Sequence, residues 1–225
     1  KRADIRLCDV CASRHLGPAR AGHCAVWVLR RSGRAILEFS SIPWYPHADS
    51  SGASRVRVLV IGGGPGGLYT ALLIKRRDPL AHVEVIDRNR PNDTFGWGVV
   101  LSDLAVANLR AADPESAALI SSSLHHWDDI EVHFGGETVR SGGHGFSGIG
   151  RHRLLEILQQ RCRQLGVRLS HEYEVFADTL EHRVARDGID LVVAADGINS
   201  AIRNRFASTY RPDTDVRRCR YVWLG

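Results

Sequence analysis

Three glycines in the first half of the chain have the spacing of a phosphate-binding loop. Gly62, Gly64 and Gly67 form the pattern G-x-G-x-x-G directly after an apolar run. In this pattern the first glycine permits a tight turn, the second lets the backbone approach a pyrophosphate, and the third lets the next helix pack close to the strand. The spacing therefore predicts a binding site for the pyrophosphate of a dinucleotide. The candidate binding residues of this loop are Gly62, Gly63, Gly64, Gly66 and Gly67.

The segments on both sides of the loop supply the elements that must position it. Residues 58–61 are an unbroken apolar run, typical of a strand buried on both faces of a parallel sheet. A helix is predicted after the loop and a second strand over residues 82–86, which ends at Asp87. The Asp87 carboxylate could accept hydrogen bonds from the two ribose hydroxyls of an adenosine. The full context favours a dinucleotide site over the alternative, a glycine turn in an unrelated α/β unit.

A second apolar run, residues 191–195, is also predicted as a parallel strand that ends in a ligand-type turn. Asp196 and Gly197 form this turn, and Ser200 opens a helix after it. Ligands of doubly wound sheets lie at the carboxyl ends of the strands, so we expect Asp196 on the same edge as the glycine loop. Two such turns on one edge indicate one extended cofactor.

Two glycine-containing segments are predicted as loops. Residues 88–103 are rich in turn formers. Arg88, at the start of this segment, could bind a phosphate group; the alternative is an arginine that contacts only solvent. Residues 141–150 contain five glycines, which would let the backbone approach something flat or bulky; a plain flexible loop is the alternative. A β-hairpin is predicted around Gly135 and Gly136.

Capping residues mark the predicted helices of this part of the chain. Ser102 is expected to cap a helix, and Asp113 with Pro114 is expected to open the next one. Arg151 begins a further helix that ends at Gly166.

Composition limits the classes of partner. The chain has 225 residues, 44% of them apolar, with a formal net charge of +5 and a pI near 9.2. A positive charge suits polyanionic ligands such as dinucleotides or coenzyme A. Basic residues are not clustered with aromatic ones, so we expect no nucleic-acid partner, and the apolar runs are too short to predict a membrane span.

The first part of the chain differs from the rest. Residues 1–54 show no sustained helical or strand periodicity and end in a turn-rich stretch. We therefore expect a leader that is disordered or foreign to the fold, followed by one domain over residues 55–225.

The cysteines favour neither a metal site nor a disulfide framework. Cys8 and Cys11 form a C-x-x-C, but the adjacent His23 and Cys24 cannot easily both face one ion, so no zinc site is expected. Isolated cysteines elsewhere favour a reduced cytoplasmic protein.

From residue 55 onward the sequence resembles the single-component FAD-dependent aromatic hydroxylases. The glycine pattern matches the start of their FAD-binding domain, and AADGINSAIR, residues 194–203, matches their Asp-Gly motif. The stretches NRPNDTFGWGVVLSD, HHWDDIEVHF, RSGGHGFSGIGRHRLL and DVRRCRYVWLG resemble those of members that hydroxylate salicylyl-CoA or anthraniloyl-CoA.

This resemblance implies an α/β fold, a Rossmann-like FAD-binding domain of the aromatic-hydroxylase type, with the start of a substrate-domain insertion and most of the substrate domain beyond Gly225. It also implies a monooxygenase in which NADH or NADPH reduces FAD and O2 is used to hydroxylate an aromatic CoA thioester. Asp87 would hold the adenosine ribose, where the family more often has Glu. Arg151 would match an arginine that contacts FAD, and Asp196 with Gly197 would line the flavin pyrophosphate and the nicotinamide path.

No catalytic side chain is assigned, because in this chemistry the cofactor performs the difficult steps. His144 could act as an acid or base, although a structural role is the more frequent one for a lone histidine. His125 and His126 lack further ligands at metal spacing and are expected at a polar helix end. Two alternatives stay open: another FAD oxidoreductase of the same architecture, and a non-catalytic dinucleotide-binding fragment, since this chain alone is expected to be inactive.

Overall fold

The computed structural model describes residues 6–8, 26–30, 55–91, 93–94, 96–215 and 218. The strands are β1 Arg6–Cys8, β2 Val26–Arg30, β3 Arg57–Ile61, β4 His82–Ile86, β5 Gly98–Ser102, β6 His125–Trp127, β7 Ile130–Phe134, β8 Glu137–Ser141, β9 Phe146–Gly150, β10 Arg168–Ser170 and β11 Leu191–Ala194. The helices are α1 Pro65–Arg77, α2 Asp103–Ala112, α3 Pro114–Ser121, α4 Arg151–Gln164, α5 Leu180–Asp187, α6 Ala201–Arg205 and α7 Ala207–Tyr210, with a 3-10 turn at Ala177–Thr179. The described residues up to 90 and from 162 onward form one compact unit, and those between 91 and 161 form another.

The first unit is built on a six-stranded sheet with the order β1-β2-β11-β3-β4-β10. Strands β11, β3, β4 and β10 are parallel to their neighbours within this group. Val58, Leu59 and Val60 are consecutive and each is at most 3% exposed, so both faces of β3 are covered. The prediction of an α/β, Rossmann-like fold is confirmed, and the unbroken apolar runs are explained by burial on both faces.

Residues 6–8 and 26–30, from the segment predicted as a leader, form two strands of this sheet. Strand β2 pairs antiparallel with β11, and β1 pairs antiparallel with β2. The physical reason is that β2, VWVLR, is short, apolar and β-branched, and pairing with it gives backbone partners to the otherwise open edge of β11. The candidate zinc residues Cys11, His23 and Cys24 lie outside the described residues. The domain boundary at residue 55 stays a prediction.

The second unit contains a three-stranded antiparallel sheet, β5-β9-β6, and the separate hairpin β7-β8. The hairpin and its position are as predicted. The two glycine-containing segments are not entirely loops, however, because strand β5 occupies the end of residues 88–103 and strand β9 the second half of residues 141–150.

Strand β9 can contain glycine because an aromatic ring takes the place of a side chain. A Cβ atom at Gly148 would lie 2.9 Å from the Trp127 ring. Glycine in a strand often marks such a close approach. Trp127 belongs to β6, so His125 and His126 also lie on a strand and not at the helix end that the sequence suggested.

Two helix starts in this unit are as predicted. The Ser102 hydroxyl accepts a hydrogen bond from the Ala105 amide at 3.3 Å, and the Asp113 carboxylate accepts one from the Ser116 amide at 3.1 Å. These side chains cap α2 and α3, respectively. Within the described part of the chain, none of the helices has the length and apolar character that crossing a membrane requires.

Candidate functional site

The glycine loop joins β3 to α1 at the carboxyl end of the parallel strands. Gly62 has a φ of +109°, and a Cβ atom there would collide with the carbonyl oxygen of Ala195. A Cβ atom at Gly67 would collide with the carbonyl oxygen of Gly62. These two positions therefore require glycine for internal reasons, namely backbone conformation and the close packing of α1 against the turn.

Gly64 differs from these two glycines because nothing in the described chain lies within 4 Å of a Cβ atom placed there. Gly64 is the N-cap of α1 and offers no side-chain hydrogen bond to the helix start, and Pro65 follows it. The amides of Gly66 and Gly67 lie in the first turn, where no preceding helical carbonyl can accept their hydrogen bonds. The open side of the loop thus presents a helix N-terminus to an anion such as a pyrophosphate.

Asp87 follows β4 and its carboxylate faces the glycine loop. One carboxylate oxygen accepts a hydrogen bond from the Gly63 amide at 2.5 Å, and the other accepts one from the Asn89 amide at 2.7 Å. An ionised carboxylate can accept about four hydrogen bonds, so acceptor capacity for ribose hydroxyls remains. The structure adds a second task that the sequence did not indicate, because Asp87 also fixes the loop at Gly63.

The Asp196-Gly197 turn lies directly against the glycine loop. Strand β11 is parallel to β3, the Ala195 amide donates to the Ile61 carbonyl at 2.7 Å, and a Cβ atom at Gly62 would be 2.9 Å from the Asp196 amide. The Asp196 carboxylate accepts hydrogen bonds from the Ser200 hydroxyl at 2.6 Å and, more weakly, from the Ile202 amide at 3.4 Å. Its side chain therefore holds the start of α6, and its role toward a cofactor stays a prediction.

The two candidate arginines lie in different surroundings. Arg88 is exposed and lies 3.9 Å from the Glu174 carboxylate, a spacing typical of weak surface pairs. Arg151 is the first residue of α4, in the second unit, and its amide donates to the Trp97 carbonyl at 3.1 Å. The Nε atom of Arg151 is buried without a hydrogen-bond partner among the described residues, so it fits a residue that donates to a bound group.

Sequence reasoning missed a loop that is bonded to the residues after β4. The loop follows β10 and makes two backbone hydrogen bonds with residues 87–89: Tyr173 amide to Asp87 carbonyl, 3.0 Å; Glu172 amide to Asn89 carbonyl, 3.2 Å. Beside it, the Asp87 amide donates to the carbonyl of Ser170, the last residue of β10, at 2.9 Å. Glu172 adopts the left-handed conformation, with φ of 55°. A glutamate gives no sequence signal for a left-handed turn.

The histidines singled out in the sequence have structural contacts. His144 Nε2 lies 2.8 Å from the Ser141 hydroxyl, and its ring stacks on Phe146 with centroids 5.7 Å apart. His126 lies 3.1 Å from the Ser147 hydroxyl and 3.2 Å from the Asp128 carboxylate. Across the described residues, no group of three or more His, Cys, Asp and Glu side chains is arranged to hold a metal ion.

Comparison with known proteins identifies relatives over most of the chain. A family model described as lycopene cyclase protein matches residues 57–218. The chain is 43% identical over 170 residues to a salicyloyl-CoA 5-hydroxylase from a Streptomyces species, covering 76% of this chain and 32% of that protein. It is 35% identical, over 76% of this chain and 46% of the relative, to the 3-hydroxy-4-methyl-anthranilyl-[aryl-carrier protein] 5-monooxygenase of Streptosporangium sibiricum.

A solved structure has the same fold. A variant of PqsL from P. aeruginosa is 22% identical, with a TM-score of 0.53 over 75% of this chain and 48% of that one. The chain spans about a third to a half of the length of these curated relatives.

Proposed function

Because the chain belongs to the FAD-dependent aromatic monooxygenases, and over residues 57–218 to the FAD-binding family described as lycopene cyclase protein, we propose that the protein hydroxylates an aromatic ring. The proposed cofactor is FAD, the reductant is NADH or NADPH, and the oxidant is O2. The proposed substrate is an aromatic CoA thioester such as salicylyl-CoA or anthraniloyl-CoA. The named activities of the two relatives are hydroxylations of aromatic rings, and this favours oxygenation over a cyclase reaction.

One structural observation carries the cofactor assignment. The open side of Gly64 lies at the N-terminus of a 13-residue helix, beside a carboxylate that closes β4. This combination matches the two polar ends of an adenosine diphosphate group, because a helix N-terminus favours phosphate and a carboxylate favours ribose hydroxyls. A contact between Arg151 and FAD is proposed on the resemblance of its segment to the family alone.

The protein residues bind and orient the cofactor in this proposal. The amides of Gly66 and Gly67 donate to the pyrophosphate, and Asp87 accepts hydrogen bonds from the ribose while it holds the loop through Gly63. Asp196 keeps the adjoining turn in place by accepting a hydrogen bond from the hydroxyl of Ser200, the residue that caps α6. The bound FAD supplies the activation of O2, which is chemistry that amino-acid side chains do not provide.

A thioester substrate is proposed because the names of both relatives describe an aromatic acyl group on a thiol carrier. The carrier is coenzyme A in one name and a carrier protein in the other. A positive net charge of +5 suits the phosphates of coenzyme A. We also propose a cytoplasmic location, which suits the isolated cysteines of the sequence.

The experiment is to purify the full-length protein, identify any released flavin, and follow NADH and NADPH oxidation with each substrate. Salicylyl-CoA and anthraniloyl-CoA are compared with the free acids and with a carrier-protein thioester, and the product is analysed by mass. We expect FAD, and a product one oxygen atom heavier from a CoA thioester. If only the carrier-protein thioester reacts, the substrate is not a CoA thioester. If FAD is absent from the purified protein and does not bind when it is added, the whole proposal is wrong.

The change Gly64→Val tests the cofactor site. A Cβ atom at Gly64 meets no protein atom within 4 Å in the described chain, so the apoprotein should keep its melting temperature. The side chain would hinder the approach of pyrophosphate, and losing about one charge-assisted hydrogen bond should weaken FAD binding roughly tenfold or more. His182→Ala, an exposed change on α5, is the control. Unchanged FAD affinity in Gly64→Val would place the pyrophosphate elsewhere.

A further inference from the structure

Strands β4 and β10 are neighbours in the first unit and end side by side. Their register shows which of their side chains share a face of the sheet. Ser170 of β10 is opposite Ile86 of β4, and the Ser170 hydroxyl donates to Glu84 at 2.9 Å. Side chains alternate along a strand, and continuing this alternation one residue past the end of β10 places the residue after Ser170 on the opposite face from Glu84. The residue after Ile86 lies on that same opposite face. These two residues are His171 and Asp87.

His171 is therefore the neighbour of Asp87 at the carboxyl edge of the sheet. Strands in a sheet lie about 4.8 Å apart, which brings the two side chains within reach of one small ligand. Asp87 already faces the glycine loop through its bond to Gly63. A group on this face next to Asp87 belongs to the adenosine end of the proposed FAD site.

The His171 ring is unusual in its hydrogen bonding. Both ring nitrogens, Nδ1 and Nε2, are shielded from solvent, and neither has a hydrogen-bond partner among the described residues. A buried polar group without a partner costs free energy, and such groups in folded proteins call for an explanation. A neutral imidazole offers one donor and one acceptor. Adenosine offers matching acceptors and donors on its base and on its ribose hydroxyls.

We propose that His171 binds the adenosine group of the cofactor through hydrogen bonds from its ring nitrogens, beside Asp87. This inference rests on the proposed function, because it assigns one further residue to the same FAD site. His171 does not touch the reacting part of the flavin in this assignment. Its role is to recognise the adenosine.

The backbone around His171 is held in place before any ligand binds. Glu172, the next residue, is in the left-handed conformation, which disfavours residues with a side chain. Two backbone hydrogen bonds join this loop to Asp87 and Asn89, and Glu172 also pairs with Arg90 at 3.3 Å. Strained residues persist where the surroundings over-determine them, often at ligand sites. The loop is thus preorganised to present His171.

The test compares three changes in the full-length protein: His171→Phe, His171→Gln and, as a control, His82→Ala. His82 is an exposed histidine at the opposite, amino end of β4. Affinities for FAD and for FMN, which lacks the adenosine group, are measured by flavin fluorescence, and the melting temperature of each apoprotein is recorded. The two ligands separate the adenosine contact from the rest of the site.

We expect His171→Phe to weaken FAD binding about tenfold, as for one lost hydrogen bond, without weakening the binding of FMN. His171→Gln keeps a donor and an acceptor and should retain most of the affinity. The apoprotein of His171→Phe should melt no lower than the wild type, since an unpartnered polar ring is removed.

Three outcomes would overturn the inference. If the wild type binds FAD and His171→Phe binds it equally well, His171 makes no adenosine contact while the proposed function stands. If His171→Phe lowers the apoprotein melting temperature and FMN affinity together, the ring is structural. If the wild type binds no FAD at all, the proposed function fails and the assignment of His171 fails with it.

Discussion

The two units of the protein differ in what they bury. In the first unit the buried centre is apolar: Leu59 is 1% exposed and Val60 is fully buried. In the second unit a carboxylate and a guanidinium are buried, since the side chain of Asp113 is 0% exposed and that of Arg161 is 9% exposed. The apolar residues of its hairpin are instead largely exposed, with Val132 at 57% and Phe134 at 85%.

The buried pair of the second unit is well formed. Arg161 donates through Nε and Nη2 to the two oxygens of Asp113, each at 3.1 Å, and it also contacts Glu115. Burial alone would raise the pKa of Asp113, but hydrogen bonds from Arg161 and Ser116 lower it below its ordinary value. The second unit therefore buries an ion pair alongside apolar residues such as Ile120 and Leu158, and this pair is the part of its core that acid can weaken.

The largest effect that we predict is from breaking the buried pair. Arg161→Met leaves the carboxylate of Asp113 buried without its cation, which should cost about 3–5 kcal/mol of unfolding free energy. Arg140→Met, at an exposed hairpin pair with Asp129, is the control and should cost less than about 1 kcal/mol. Urea unfolding of the full-length protein measures both. The double change Asp113→Leu with Arg161→Met should recover much of the lost unfolding free energy. If Arg161→Met and Arg140→Met cost the same, the buried pair contributes no more than an exposed one.

A second prediction compares apolar residues in the two units. Leu59→Ala should cost about 2–5 kcal/mol, because it leaves a cavity in a closely packed strand. Val132→Ala removes an exposed side chain and should cost no more than about 0.5 kcal/mol. Unfolding midpoints of the two variants test this. A large loss in Val132→Ala would mean that the hairpin face is covered in the full-length protein.

The smallest effect concerns acid. The pKa of folded Asp113 lies below its unfolded value of about 3.9, so its contribution to stability is fully present above that pH and is lost as pH falls through the lower, folded pKa. We expect hydrogen exchange to reveal opening of residues 113–121 in acid before opening of β3. The change Asp113→Asn should remove this dependence. If residues 113–121 and β3 open at the same pH, the prediction that acid opens the second unit first is wrong.

The sequence alone determined the elements of the nucleotide fold because each depends on local chemistry. Apolar runs before Gly62 and Asp196 predicted buried strands, the G-x-G-x-x-G spacing predicted the turn, and Ser102 and Asp113 predicted helix starts. These features are set by backbone conformation, hydrogen-bonding groups and periodicity over a few residues. The fold class and most element positions followed from them.

Only the tertiary structure decided features that depend on residues far apart in the chain. Strands β2 and β9 exist because distant partners complete their backbone hydrogen bonds, and their own segments gave weak or misleading local signals. The bond between Asp87 and Gly63 joins positions 24 residues apart, and backbone hydrogen bonds join Asp87 to Ser170 and Tyr173. Pairing and register are collective properties of the sheet, so composition and spacing could not reveal them.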